Sequence, residues 1–197
     1  MHGPTSNMNL YLKERLNMSL RGSPASKLIK AFQKSQSHKL GLSLSQLESQ
    51  YLAGGDPFAI VDLLVQARED RIELEWYGAC AIDLATKHTA DSLALALAGA
   101  KTSRRFTLEA ELSSAGKRPW RLEAIVTHRV NLARYVGGAD LAVLKERISK
   151  SVAYFYEENK HAISSVFPLA DLEASILESQ LDAGTKLTLE SVEIKVR

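Results

Sequence analysis

The residues of this chain that could do chemistry are five histidines, one cysteine and scattered carboxylates, and their spacing gives them nothing to do together. His2, His38, His88, His128 and His161 fall at neither of the spacings, HxxxH or HExxH, that put two imidazoles on one helix face around zinc. Cys80 is the single cysteine, so neither an intrachain disulfide nor a cysteine metal cluster can form. It lies in an Ala-rich stretch and reads as an inert buried thiol rather than a nucleophile. His128 stands on an otherwise apolar strand pattern and reads as a satisfied, semi-buried histidine. Asp83 and Asp91 flank an expected helix interruption, and two lone carboxylates are not an acid–base pair. There is no GxxxxGK[ST] or GxGxxG to cradle phosphate and no GxSxG nucleophile elbow. No catalytic, cofactor-binding or metal-ligating residue is assigned, no small-molecule substrate is indicated, and an enzyme is not expected.

Charge carries more information. Residues 1–40 hold Lys13, Arg15, Arg21, Lys27, Lys30, Lys34 and Lys39 against the single acid Glu14, a net charge of +6, while the remainder of the chain carries −4. A basic arm on an acidic body suits an anionic membrane, a nucleic acid or the acidic face of a neighbouring subunit. The competing reading is a solvated helix face. Aromatic residues make up only 7% and do not interleave with the basic ones, which disfavours binding of single-stranded nucleic acid by stacking.

The 197 residues, 45% apolar and 24% charged, suit one globular domain with a small N-terminal appendage. No run approaches the roughly 18 apolar residues of a membrane span, and Met1–Leu12 lacks the pattern of a signal peptide. The expected location is therefore the cytoplasm, including the inner face of the plasma membrane as a peripheral site.

The elements follow from periodicity. Leu12, Leu16 and Leu20 recur every four residues and predict a short helix after a polar start at Met1–Met8 expected to be disordered. Ser23-Pro24 predicts a capped helix reaching about His38, with Leu28, Ile29 and Phe32 inward and Lys27, Lys30, Lys34 and His38 outward. Ser43 and Gln46 form a capping-box pattern for a helix Leu44–Leu52 that stops at Gly54-Gly55, with the positive φ expected to matter at Gly55. Asp56-Pro57 starts the next helix, with Phe58, Val61, Leu64 and Val65 inward; Ile72, Leu74 and Trp76 alternate in an extended link; Ala79–Ala100 reads as helix, interrupted near Thr86–Thr89.

The period then changes to two. Phe106–Leu112 and Trp120–Val130 predict an antiparallel hairpin across a turn-rich link, Ser113–Pro119. Gly137-Gly138 is expected to end the second strand. Leu141, Leu144, Ile148, Val152 and Phe155 mark a helix of about twenty residues; Pro168 opens another that contains Leu181 and stops at Gly184. Leu187–Val196 alternates again, with a phase slip at Glu190-Ser191 that predicts a β-bulge. The fold class is α+β. Its parts are a flexible or short-helical basic arm (1–22), a helical segment (23–100) and an α+β core (101–197).

Four segments resemble the bacterial flotillin-like FloA family, whose domain is of the SPFH (band 7, prohibitin-homology) class. They are Leu42-Ser43 leading through Leu47-Glu48 to Tyr51-Leu52-Ala53-Gly54-Gly55; Ala79-Cys80-Ala81-Ile82-Asp83-Leu84-Ala85; Arg129-Val130-Asn131 with Arg134-Tyr135-Val136-Gly137-Gly138-Ala139; and Leu181-Asp182-Ala183-Gly184-Thr185. The resemblance implies a curved antiparallel sheet with helices packed on it. It also implies a non-enzymatic scaffold that forms homo-oligomers and organises membrane microdomains. The family's hydrophobic N-terminal segment and C-terminal coiled coil have no counterpart in these residues, which suits either a short paralogue or the core alone. The expected contact residues for an anionic surface or partner are Lys13, Arg15, Arg21, Lys27, Lys30 and Lys34; the structural turns are Gly54, Gly55, Gly137, Gly138 and Gly184. The alternatives are a soluble SPFH-derived adaptor subunit and, on charge alone, a nucleic-acid-binding module.

Overall fold

The computed structural model describes residues 16–87, 92–113, 119–163 and 166–197. The expectations for Met1–Met8, Leu12, Lys13, Arg15 and the inner part of the Ser113–Pro119 link lie outside these residues. The chain divides into two compact units, Met1–Leu97 and Ala98–Arg197.

The first unit is helical: a turn of helix at 16–20, then α1 (Ala25–Ser37), α2 (Leu44–Leu52), α3 (Pro57–Glu69) and α4 (Trp76–Thr86). α5 (Leu93–Lys101) spans the division in sequence. Two of the starts are as the sequence predicts. The Ser43 side chain accepts from Gln46 N while the Gln46 side chain accepts from Ser43 N, a complete capping box. Asp56 accepts from Phe58 N and Ala59 N, with Pro57 at the position where a missing N–H costs nothing. The start of α1 differs: Pro24 is the N-cap, and the Ser23 hydroxyl instead donates to Glu48 Oε1 at 2.9 Å. A buried carboxylate is the stronger acceptor and draws the hydroxyl away from the helix end.

α1 is also rotated relative to the predicted face. Leu28 is fully buried but Ile29 and Phe32 are half-buried, and the innermost row is Ala25, Leu28, Ala31 and Ser35. The small alanines allow close helix packing along this row, and Ser35 enters the core because its hydroxyl donates to Phe32 O at 2.7 Å. Similarly, Leu16 and Leu20 face solvent and Met18 is the buried residue of the first turn. Residues 72–75 are irregular, and Trp76, predicted in that link, begins α4 and is buried.

The second unit carries the sheet. β1 (Arg104–Leu112), β2 (Trp120–Val130) and β3 (Leu187–Val196) pair antiparallel in that spatial order. α6 (Leu141–Asn159) and α7 (Leu169–Glu178) cover one face, so that Leu122, Ala124, Val126, Val192 and Ile194 share a core with Leu144, Ile148, Val152, Leu172 and Ile176. The alternate residues, most of them charged or polar, face away from that core. The predicted bulge is present: Thr127 pairs with Ser191 and His128 with Leu189, which leaves Glu190 without an opposite residue.

Two boundaries differ. β2 ends at Val130, where a 3₁₀ turn (Leu132–Arg134) takes over, well before Gly137-Gly138. α7 ends at Glu178, and Leu181 lies in the turns that follow, because the backbone near Asp182 is drawn into the contacts described next.

Candidate interaction surface

The four sequence segments singled out above meet in pairs, one pair in each unit. In the first unit, Asp83 on α4 accepts from the backbone N–H of Asp56 at 2.8 Å and from Gln50 Nε2 at 3.1 Å. Gly54 has φ +88°. Gly55 does not have a positive φ, contrary to expectation; a Cβ there would collide with Gln50 and come within 2.6 Å of Asp83 Oδ2. Cys80, one turn before Asp83, is buried, and burial with the Asp83 charge pushes its thiol up to about 12. Such a thiol stays protonated and is a poor nucleophile.

In the second unit, the 131–139 segment closes on the 181–188 segment. Ala139 N donates to Gly184 O and Lys186 N to Ala139 O, both at 2.9 Å. Arg134 Nη1 donates to Asp182 O at 3.0 Å, and Asn131 Nδ2 to Thr188 Oγ1 at 2.9 Å. Gly137 and Gly184 have φ of +78° and +70°. Gly138 serves closeness: a Cβ would run into Arg134 O and lie 2.8 Å from Lys186 N. These glycines and their partners are therefore architectural.

The expected contact residues separate in the structure. Lys13 and Arg15 lie outside the described residues. Arg21 is committed to an internal pair: its guanidinium grips both Glu48 oxygens at 2.9 and 2.7 Å, and Ser23 joins. The Arg21 hydrogen bonds hold the Glu48 carboxyl below the usual carboxylate range, against burial. Lys34 bonds Asp62 on α3 at 2.8 Å, a pair exposed on both sides. Lys27 and Lys30 are exposed on α1 and make no ion pair among the described residues. The end of α1 is held by Arg68, which donates to the carbonyls of His38 and Lys39. Thus α1 presents two uncompensated cations and one weakly paired one from a helix fixed at both ends.

His128 is buried with Nδ1 lacking a hydrogen-bond partner among the described residues, 5.5 Å from the Phe106 ring. It is not the satisfied histidine expected. Burial lowers its pKa, and the Arg104 and Lys145 charges add to this against Glu190. Among the described residues no group of three or more His, Cys, Asp or Glu side chains could hold a metal, and no helix is long and apolar enough to cross a membrane. None of Asp83, Asp182 and Glu48 has a working role legible in the sequence; all three stand in the segments that carry the resemblance.

Comparison with known proteins finds relatives over most of the chain. The family model described as flotillin-like protein FloA matches residues 1–196. A flotillin-like protein FloA of Opitutus terrae is 31% identical over 202 residues, covering 97% of this chain and 58% of that protein. One from Staphylococcus aureus strain JH9 is 29% identical over 161 residues, covering 81% of this chain and 48% of that protein. The chain thus spans about half the length of these curated relatives. No solved structure matches.

Proposed function

Because the chain belongs to the FloA family of flotillin-like proteins, we propose that it is a non-enzymatic scaffold module. It associates with copies of itself and docks peripherally on an anionic membrane surface at the cytoplasmic face. The observation that supports the docking surface is the exposed pair Lys27 and Lys30, flanked by Lys34, on a helix whose opposite row (Ala25, Leu28, Ala31) is buried.

Each basic residue near an anionic leaflet contributes about 1 kcal/mol. Two free lysines and one shared with Asp62 therefore give weak, salt-sensitive and reversible binding. Useful residence then needs several copies acting together, which is why self-association and docking belong to one reading. The test is co-flotation with vesicles of anionic or zwitterionic lipid at low and high salt. Binding to anionic vesicles that salt removes supports the reading; no binding, or equal binding to both lipids, overturns it.

The soluble-adaptor reading draws on a different observation. Arg21–Glu48 and Lys34–Asp62 show basic groups near the N-terminus satisfied by carboxylates, as an acidic partner face would satisfy Lys27 and Lys30.

A further inference from the structure

The two edges of the sheet are treated differently. Arg197 N donates to Arg121 O at 2.8 Å, so Arg121 and the residues alternating with it on β2 direct their backbone groups toward β3. Leu122, Ala124, Val126 and His128 accordingly direct theirs toward β1, where they face Ala110, Leu108, Phe106 and Arg104. The same alternation leaves the N–H and C=O of Arg105, Thr107, Glu109 and Glu111 pointing outward from the free edge of β1.

At the opposite edge, side chains close three of the outward N–H groups. Leu187 N donates to Thr185 Oγ1, Leu189 N to Asp182 Oδ2, and Ile194 N to Glu173 Oε1 at 2.6 Å. A carboxylate held against a strand edge repels an incoming strand's carbonyls and occupies the donor it would need. Nothing comparable lies against β1: its outward backbone groups have no partner among the described residues, and all four of its outward residues are exposed.

We propose that the β1 edge is a docking surface for the β1 edge of a second copy of this chain, paired antiparallel about a two-fold axis. This rests on the self-association reading above and names its surface. The charge order along β1 selects the partner and the direction. Arg105 lies at one end and Glu109 and Glu111 toward the other. Directly opposed residues in an antiparallel pair share a face, so the two-fold falls on Thr107 or Leu108. With Thr107 on the axis Arg105 meets Glu109 of the other copy; with Leu108 on the axis it meets Glu111. A parallel pair would set Arg105 against Arg105. Arg105 makes no ion pair of its own among the described residues; Glu109 is hydrogen-bonded to Arg197 at 2.9 Å while Glu111 meets Arg121 only at 3.7 Å, so Glu111 is the less committed acid, which favours the Leu108 axis. That axis also sets the half-buried Leu108 side chains against each other on the core face. A head-to-tail pairing of β1 on β3 meets the Thr185, Asp182 and Glu173 side chains, so the contact closes as a dimer rather than extending as a filament.

The experiment is molar mass by light scattering over a concentration series of the full chain, with circular dichroism to confirm folding. Arg105→Glu and the double variant Glu109→Arg/Glu111→Arg are each expected to raise the dimer dissociation constant at least tenfold, and an equimolar mixture of the two to restore dimer. Thr107→Pro removes an outward N–H and no bond to β2, so it should stay folded and monomeric. If the wild type self-associates and all of these variants do so equally, the edge proposal is overturned and the self-association reading stands. If the wild type is monomeric throughout the series, both fall.

Discussion

Asp83 Oδ2 lies 2.8 Å from the backbone nitrogen of Asp56, twenty-seven residues earlier, and so fixes the start of α3 to α4. The same oxygen takes Gln50 Nε2 at 3.1 Å, which brings in α2. One carboxylate thus orients three helices, including α3, which supplies Asp62 to Lys34 and Arg68 to the end of α1. Asp83→Ala should destabilise the chain by about 1–3 kcal/mol, since it leaves a polar backbone group without its acceptor. Urea unfolding checks this; a shift under a few tenths of a kcal/mol would mean that water replaces the carboxylate without loss.

The double glycines give a comparison within one molecule. Gly137→Ala meets nothing within 4 Å but must hold φ +78°, so its cost is that of the left-handed conformation, about 1–2 kcal/mol. Gly138→Ala meets backbone atoms, Arg134 O and Lys186 N, and should cost more because neither can swing aside. Thermal melts of the two variants rank them; the reverse order would contradict the account of the turn.

Acid should loosen the Arg21–Glu48 contact. Glu48 has its pKa lowered in the folded chain, chiefly by the Arg21 hydrogen bond, so its contribution is present above the unfolded value of 4.5 and is lost as pH falls through the folded value. Glu48→Gln should flatten the stability profile below pH 4.5 in chemical denaturation. An unchanged acid limb would mean that the pair is not maintained in solution.

His128 acts in a higher window. Its folded pKa lies below the ordinary imidazole value of 6.5, first through burial and then through Arg104 and Lys145. The unfolded chain therefore binds a proton that the folded chain refuses, and stability falls as pH drops below 6.5 until the folded value is passed. His128→Phe, beside Phe106, should remove that slope between pH 6.5 and the acid limb. A slope that persists in the variant would assign it to another group.

The parts of this fold that were legible in the sequence are those with a period. Alternation in Phe106–Leu112, Trp120–Val130 and Leu187–Val196 gave the sheet, and a break in that alternation gave the bulge at Glu190. Capping chemistry is local, so Ser43–Gln46 and Asp56 were also readable. Polar pairs across long sequence separations leave no period, which is why Ser23–Glu48, Asp83–Asp56 and Arg134–Asp182 emerged only in three dimensions. Glycine identity marks a special position without saying which kind: Gly54 has a positive φ and Gly55 a crowded approach, though they are adjacent. The face of α1 was placed correctly to within one residue, because Ala25 and Ala31 permit a rotation that hydrophobic counting does not see. The proposed contact surface shows in the sequence only as charge; that Arg21 pairs with Glu48 while Lys27 and Lys30 make no ion pair among the described residues emerged only in three dimensions.

The measurement closest to the central claim is vesicle co-flotation of Lys27→Glu/Lys30→Glu against the wild type and against a control reversal, Lys195→Glu, on the exposed face of β3. All three should melt at nearly the same temperature, since the lysines are exposed and α1 is held by Leu28, Arg68 and Ser35 instead. The account predicts that the wild type and the control float with anionic vesicles at low salt while the double variant stays at the bottom of the gradient. Equal flotation of the folded double variant and the wild type would contradict it and leave the basic stripe as a solvated helix face.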